Sequence, residues 1–109
     1  MSPQAEGSAL AWENYIVVQT VQALLGLVSE ETLAVSAEIS VDSVILHFHA
    51  DGVTGELCED AEEACFELDV LLDGKVSISA QCHDGLSQTW PGSGHRPIYL
   101  RKKRAKPPG

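Results

Sequence analysis

The apolar residues of this chain fall into two helical and four strand-like patterns. Between about Leu10 and Val28, Val17, Val21, Leu24 and Val28 recur at the spacing of one helical face, with Leu25 beside it. Trp12 and Ile16 extend that side one turn earlier, and Gly26 loosens the last turn. In LAVSAEIS (33–40), Val35, Ala37 and Ile39 alternate with Ser36, Glu38 and Ser40, which predicts a half-buried strand. After a turn at 41–43, VILHFHA (44–50) places Val44, Leu46 and Phe48 on one face and Ile45, His47 and His49 on the other. ADGVTG reads as a loop.

From Gly55 to Gly74, Leu57, Ala61, Ala64, Cys65, Leu68, Leu71 and Leu72 return at helical spacing. Thr54 or Gly55 can open this helix and Gly74 can close it. KVSISAQCH alternates Val76, Ile78, Ala80 and Cys82 against polar residues and predicts a third strand. DGLSQTWPGSGHRP (84–97) reads as a long loop around Trp90, and PIYLRKK (97–103) as a short last strand. The order α-β-β-α-β-β implies a single α+β domain over 10–103, an antiparallel sheet with two helices on one face. A flexible N-terminus (1–9) and a disordered basic tail (104–109) flank it.

With 109 residues the chain can build one modest core. No apolar run reaches membrane-span length, and MSPQAEGSALAWE has neither the basic residues nor the apolar block of a secretory signal. Three cysteines, an odd count without a dense framework, fit reduced thiols, so the expected compartment is the cytoplasm.

Charge changes the picture more than composition does. The net charge is −9, and its distribution is lopsided. Fifteen carboxylates and no Lys or Arg lie between Met1 and Gly74; Asp84 and all seven basic residues follow. Phosphate repulsion therefore disfavours nucleic acid as a partner of the domain body, and attraction to a basic protein is favoured. The second helix concentrates the effect, since eight of the twenty residues 55–74 are acidic. Its polar face reads in two ways. It is a solvated surface that keeps a small domain soluble, or a decoy for the cationic groove of a nuclease or another basic protein. Soluble helices gain stability from Lys interspersed at four-residue spacing, and here that counter-charge is missing.

Other constellations are weaker. His47, His49 and Asp51 in HFHAD have ligand chemistry, and His83 or Asp84 are candidates to join them across the sheet. The plainer reading is a polar strand face flanking Phe48. Cys65 and Cys82 continue apolar faces and read as core residues, and the Cys58–Cys65 spacing matches no zinc ribbon or redox pair. No phosphate loop, nucleophile elbow or HExxH motif is present. Trp90 has the character of an interface anchor from a long loop, or of an aromatic folded back on the sheet. RKKRAK invites a nucleic-acid or membrane reading, against which stands weak contact with the acidic body or with solvent.

The helix end and strand ALLGLVSEETLAVSAEIS, the strand and loop VILHFHADG, the acidic second helix and the terminal PIYLRKK together resemble a family. They are similar to small single-domain bacterial proteins that accompany polymorphic or contact-dependent toxins as immunity partners. The shared features are an LLG-x-[IV]-S turn, an AVS strand start, an aromatic strand ending in Asp-Gly, the acidic helix and a YLR-type last strand. The resemblance spans about Val17 to Arg101. It departs at Thr32-Leu33, where a Leu-Arg pair is the pattern, so no contact of that Arg carries over. The resemblance implies a cytoplasmic protein, not an enzyme, that neutralises a cognate toxin by stoichiometric occlusion, without cofactor or metal. Glu59, Asp60, Glu62, Glu63 and Glu67 would meet a cationic cleft, with Trp90 as an apolar anchor. Two alternatives stand beside it: a regulatory or scaffolding module for another basic protein, and a small metal-dependent enzyme built on His47, His49 and His83.

Overall fold

A computed structural model describes residues 3–92 and 94–101. The elements run α1 (Pro3–Leu24), β1 (Thr32–Ile39), β2 (Ser43–Ala50), α2 (Gly55–Leu71), β3 (Ser77–Asp84) and β4 (His95–Leu100). This is the single α+β domain and the element order that the periodicities predict. The basic tail at 104–109, and Lys102 and Lys103 of the expected last strand, lie outside the described residues. Among the described residues no helix is long and apolar enough to cross a membrane.

The four strands form one sheet in the order β3-β2-β1-β4. β1 pairs antiparallel with both β2 and β4, but β2 and β3 are parallel. The sheet is therefore mixed, not wholly antiparallel as expected. The cause is α2, which carries the chain from the end of β2 back to its beginning, so that β3 must run in the same direction. Both helices pack on one face, where Ile16 and Leu24 of α1 and Leu57, Ala61, Ala64 and Leu68 of α2 bury against Val35, Ala37, Val44, Leu46 and Phe48.

Local chemistry explains the helix ends. Thr54 caps α2, its hydroxyl accepting a hydrogen bond from the Leu57 amide at 3.1 Å. At the other end Asp73 and Gly74 take positive φ, and the Gly74 amide returns to the Asp69 carbonyl at 3.0 Å. α1 opens at Pro3, well before the expected start at Leu10; proline is suited to a first helical position. It closes at Leu24, earlier than Val28, with Gly26 at φ +82°.

The buried stripe of α1 is also rotated from the expected one. It consists of Ile16, Thr20, Ala23 and Leu24, while Val21 and Leu25 are exposed. Thr20 reads as polar in sequence, yet its hydroxyl donates to the Ile16 carbonyl at 2.7 Å and so enters the core satisfied. Ala23 continues the buried stripe one turn further.

The connection from β3 to β4 decides what happens on the other face. These strands lie at opposite edges of the sheet and run parallel, so the chain must travel the width and length of the sheet between Gly85 and Gly94. Ten residues reach at most about 36 Å, enough for a direct diagonal but not for a detour around the helices. A right-handed return in this direction also passes over the face opposite α2. The burial agrees: Ser36 and His47, both on the helix-free face, are almost wholly excluded from solvent. β1 is thus covered on both sides.

Leu68 is fully buried between α2 and the sheet. Replacing it with Ala should cost about 2–5 kcal/mol of unfolding free energy, measured by urea denaturation. Thr54→Ala should cost about 1 kcal/mol through loss of the cap. A Leu68→Ala loss no larger than that of Thr54→Ala would contradict this placement of the core.

Candidate functional site

The helix-free face gathers all four histidines of the chain. Strand alternation turns His47 and His49 of β2 to this side, and the register sets His83 of β3 beside His49. Glu38 of β1 pairs with His95, the first residue of β4, and with Ile45 of β2. The imidazoles form a stacked file from His95 to His47, His83 and His49. Successive ring centroids are 4.9, 5.2 and 4.6 Å apart, with interplanar angles of 14°, 25° and 19°.

Polar contacts fix the order of the file. His47 Nε2 lies 3.0 Å from Glu38 Oε1, and His95 Nε2 lies 3.6 Å from the same oxygen. The other nitrogen of His47, Nδ1, lies 2.9 Å from His83 Nε2. His49 Nδ1 donates to the Gly85 carbonyl at 3.2 Å, which ties the start of the crossing segment to the file. Asp84 accepts from the Gly52 amide at 2.9 Å and pins the adjacent loop. A shallow depression of about 460 Å³ lies beside His49 and His83, floored by Asp84, Gly85, Leu86 and Ser87.

Burial, opposed by the Gly85 hydrogen bond and aided by repulsion from His47 and His95, holds the His49 pKa below the ordinary imidazole value. Burial, followed by repulsion from His49 and His47, does the same for His83. This part of the file therefore favours neutral rings.

The set of His47, His49 and His83 expected as the metal alternative does not converge. His47 turns Nε2 to Glu38, and His49 turns Nδ1 to a carbonyl. The three side chains whose donor atoms come together are Glu38, His47 and His95, all within 4.8 Å of one another. Glu38 and His95 escape a sequence reading for different reasons. Glu38 is one carboxylate among sixteen. His95 falls in a stretch that its glycines and prolines mark as loop, whereas it begins β4. The one available signal is that SGHRPIYL continues as a strand from the histidine onward.

The acidic residues expected to bind a partner occupy the other side of the molecule, on α2. Glu59, Glu62, Glu63 and Glu67 are exposed on α2, and Asp60 is half-buried. None makes an ion pair among the described residues. Phe66 and Val70, which the sequence does not single out, stand in their midst at 67% and 60% exposure. Glu59, Glu63, Phe66 and Val70 form one stripe along the helix. Trp90 belongs to the segment between β3 and β4. It is half-buried, with its indole nitrogen shielded and without a hydrogen-bond partner among the described residues.

The cysteines behave as packing residues. Burial pushes both the Cys65 and the Cys82 thiol up to about 11, Cys82 being further raised by a hydrogen bond with Cys58. At neutral pH these thiols stay protonated and are weak nucleophiles and ligands. No protein-family model matches the chain, and no curated protein sequence matches it.

Lowered histidine pKa values make folding sensitive to acid. The unfolded chain takes up protons near pH 6.5 and the folded chain only at lower pH, so the stability is fully present above about 6.5 and is lost as pH falls through the folded values. The urea midpoint should drop between about pH 7.5 and pH 5, and His83→Gln should remove part of that drop. Identical pH dependence in the variant and the parent would contradict the reading of the file.

Proposed function

We propose that this chain is a stoichiometric binding protein for a basic protein partner, acting as the immunity protein of a bacterial toxin and carrying no chemistry of its own toward that partner. What supports the reading is the outward face of α2, where exposed carboxylates without an ion pair among the described residues surround an exposed phenylalanine. Glu59 and Glu63, and Glu63 and Glu67, are like charges at four-residue spacing, each pair costing about 0.2–0.5 kcal/mol. A cationic partner turns that cost into attraction. Phe66, 67% exposed, is large enough to fill a pocket at the centre of an interface, and a charged rim around an apolar anchor is common interface anatomy.

The carboxylates give encounter rate and choice of partner, and the apolar stripe gives residence time. Glu62 and Glu63 are the principal charges in this reading, Glu59 and Glu67 flank them, and Asp60 contributes from the margin. The anchor is Phe66. Trp90, half-buried in the connection between β3 and β4, is the second apolar residue proposed to meet the partner. Nucleic acid is disfavoured as a ligand of α2 by the same carboxylates.

The test is to produce the chain together with the secreted, variable-ended protein encoded beside it, if one is found there, and to measure complex formation and neutralisation. A Glu62→Lys, Glu63→Lys double variant should bind at least about tenfold more weakly, with a flatter dependence on salt. Phe66→Ala should weaken binding by at least about tenfold chiefly through faster dissociation. Unchanged affinity and salt dependence in the charge-reversed protein would defeat the proposal.

A further inference from the structure

The geometry points to a divalent transition-metal site of the zinc class formed by the Glu38 carboxylate and the Nε2 atoms of His47 and His95, independent of the partner surface on α2. Three strands, β1, β2 and β4, supply one ligand each, so the hydrogen-bonded sheet sets their spacing. In a tetrahedral zinc centre with bonds of about 2.0–2.1 Å, neighbouring donor atoms lie about 3.3 Å apart. The two contacts to Glu38 Oε1, 3.0 Å from His47 and 3.6 Å from His95, bracket that value. Converting them into metal bonds requires the His47 and His95 rings, stacked at 14°, to rotate until both planes contain the ion.

Two further observations favour an ion there. The nitrogen of His47 that does not face Glu38 sits 2.9 Å from His83 Nε2. With Nε2 on a metal, Nδ1–H of His47 donates to His83, the second-sphere hydrogen bond that orients metal-bound imidazoles. Ser36, directly opposite His47 in register, is fully buried on this face, and its hydroxyl has no hydrogen-bond partner among the described residues. An ion with a protein set of three keeps a position for water, which would give such a hydroxyl a partner.

Two imidazoles and one carboxylate suit zinc, cobalt(II) or nickel(II) better than calcium or magnesium, which prefer all-oxygen sets. Glu38 is half-exposed, with 48% of its side chain accessible, which gives an ion a way in from solvent. Binding would move the Nε2–H proton that otherwise bridges His47 to Glu38 onto Nδ1 of the same ring, and the proton that His83 Nε2 holds toward that nitrogen would pass through solvent to His83 Nδ1, leaving His83 Nε2 to accept.

The experiment uses the full chain, freed of metal with a chelator and titrated with zinc chloride by calorimetry, with imidazole nitrogens followed by NMR. One ion per chain should bind, shifting the Nε2 resonances of His47 and His95 while leaving His49 in place. Glu38→Gln and His95→Gln should each weaken binding by at least about tenfold. Cobalt(II) should give a spectrum without thiolate charge transfer. Because β4 begins at His95, folding of each variant is checked by circular dichroism, and the NMR assignment of the ligands in the parent protein stands whether or not a variant folds. No saturable binding up to about 1 mM zinc, or shifts centred on His49 or the cysteines, would overturn the site.

Discussion

The return of the chain from β3 to β4 shapes everything on the helix-free face of the sheet. Two parallel edge strands, separated by two antiparallel neighbours, can be joined by ten residues only across the face that the helices leave free. That crossing buries β1 from both sides. It explains why Ser36 and His47, polar residues on what would otherwise be the wet side of a sheet, are excluded from solvent. It also delivers His95 to the edge of β1 opposite Glu38. Without it the sheet would be an ordinary two-layer arrangement, with three histidines facing water.

The two faces consequently hold different chemistry. On the helix side the interactions are apolar and close-packed, centred on Phe48, Ile16, Leu46 and Leu68. On the other side, polar rings stack and exchange hydrogen bonds in a partly desolvated layer, where an unpaired nitrogen or hydroxyl is expensive and a fully matched set is rigid. The outer surface of α2 belongs to neither layer. Its carboxylates contribute little to folding, which leaves them free to serve an encounter with another molecule.

The elements whose periodicity reflects one buried face are legible in the sequence. α2 is an example: Leu57, Ala61, Ala64 and Leu68 announce the face, Thr54 the beginning and Gly74 the end. α1 is legible as a helix but not in its orientation, because the rule that counts Val21 as inside and Thr20 as outside ignores the Ile16 carbonyl that satisfies Thr20. The parallel pairing of β2 and β3 follows from a βαβ crossover that is present in the element order and easily passed over. The histidine file was only half legible. His47 and His49 share a face by alternation, but their union with His83 and His95 depends on strand order, which no local pattern encodes. The acidic character of α2 is obvious in the sequence, whereas the exposure of Phe66 is not, since an aromatic residue in a helix is ordinarily core.

Through-space contacts among histidine ring protons at neutral pH test this arrangement. They should form a connected series, His95 to His47, His47 to His83 and His83 to His49, with no contact between His95 and His49. A His95 ring that shows no contact with His47 would mean that the crossing segment does not bring β4 to this side of the sheet, and the account of both the fold and the site would be contradicted.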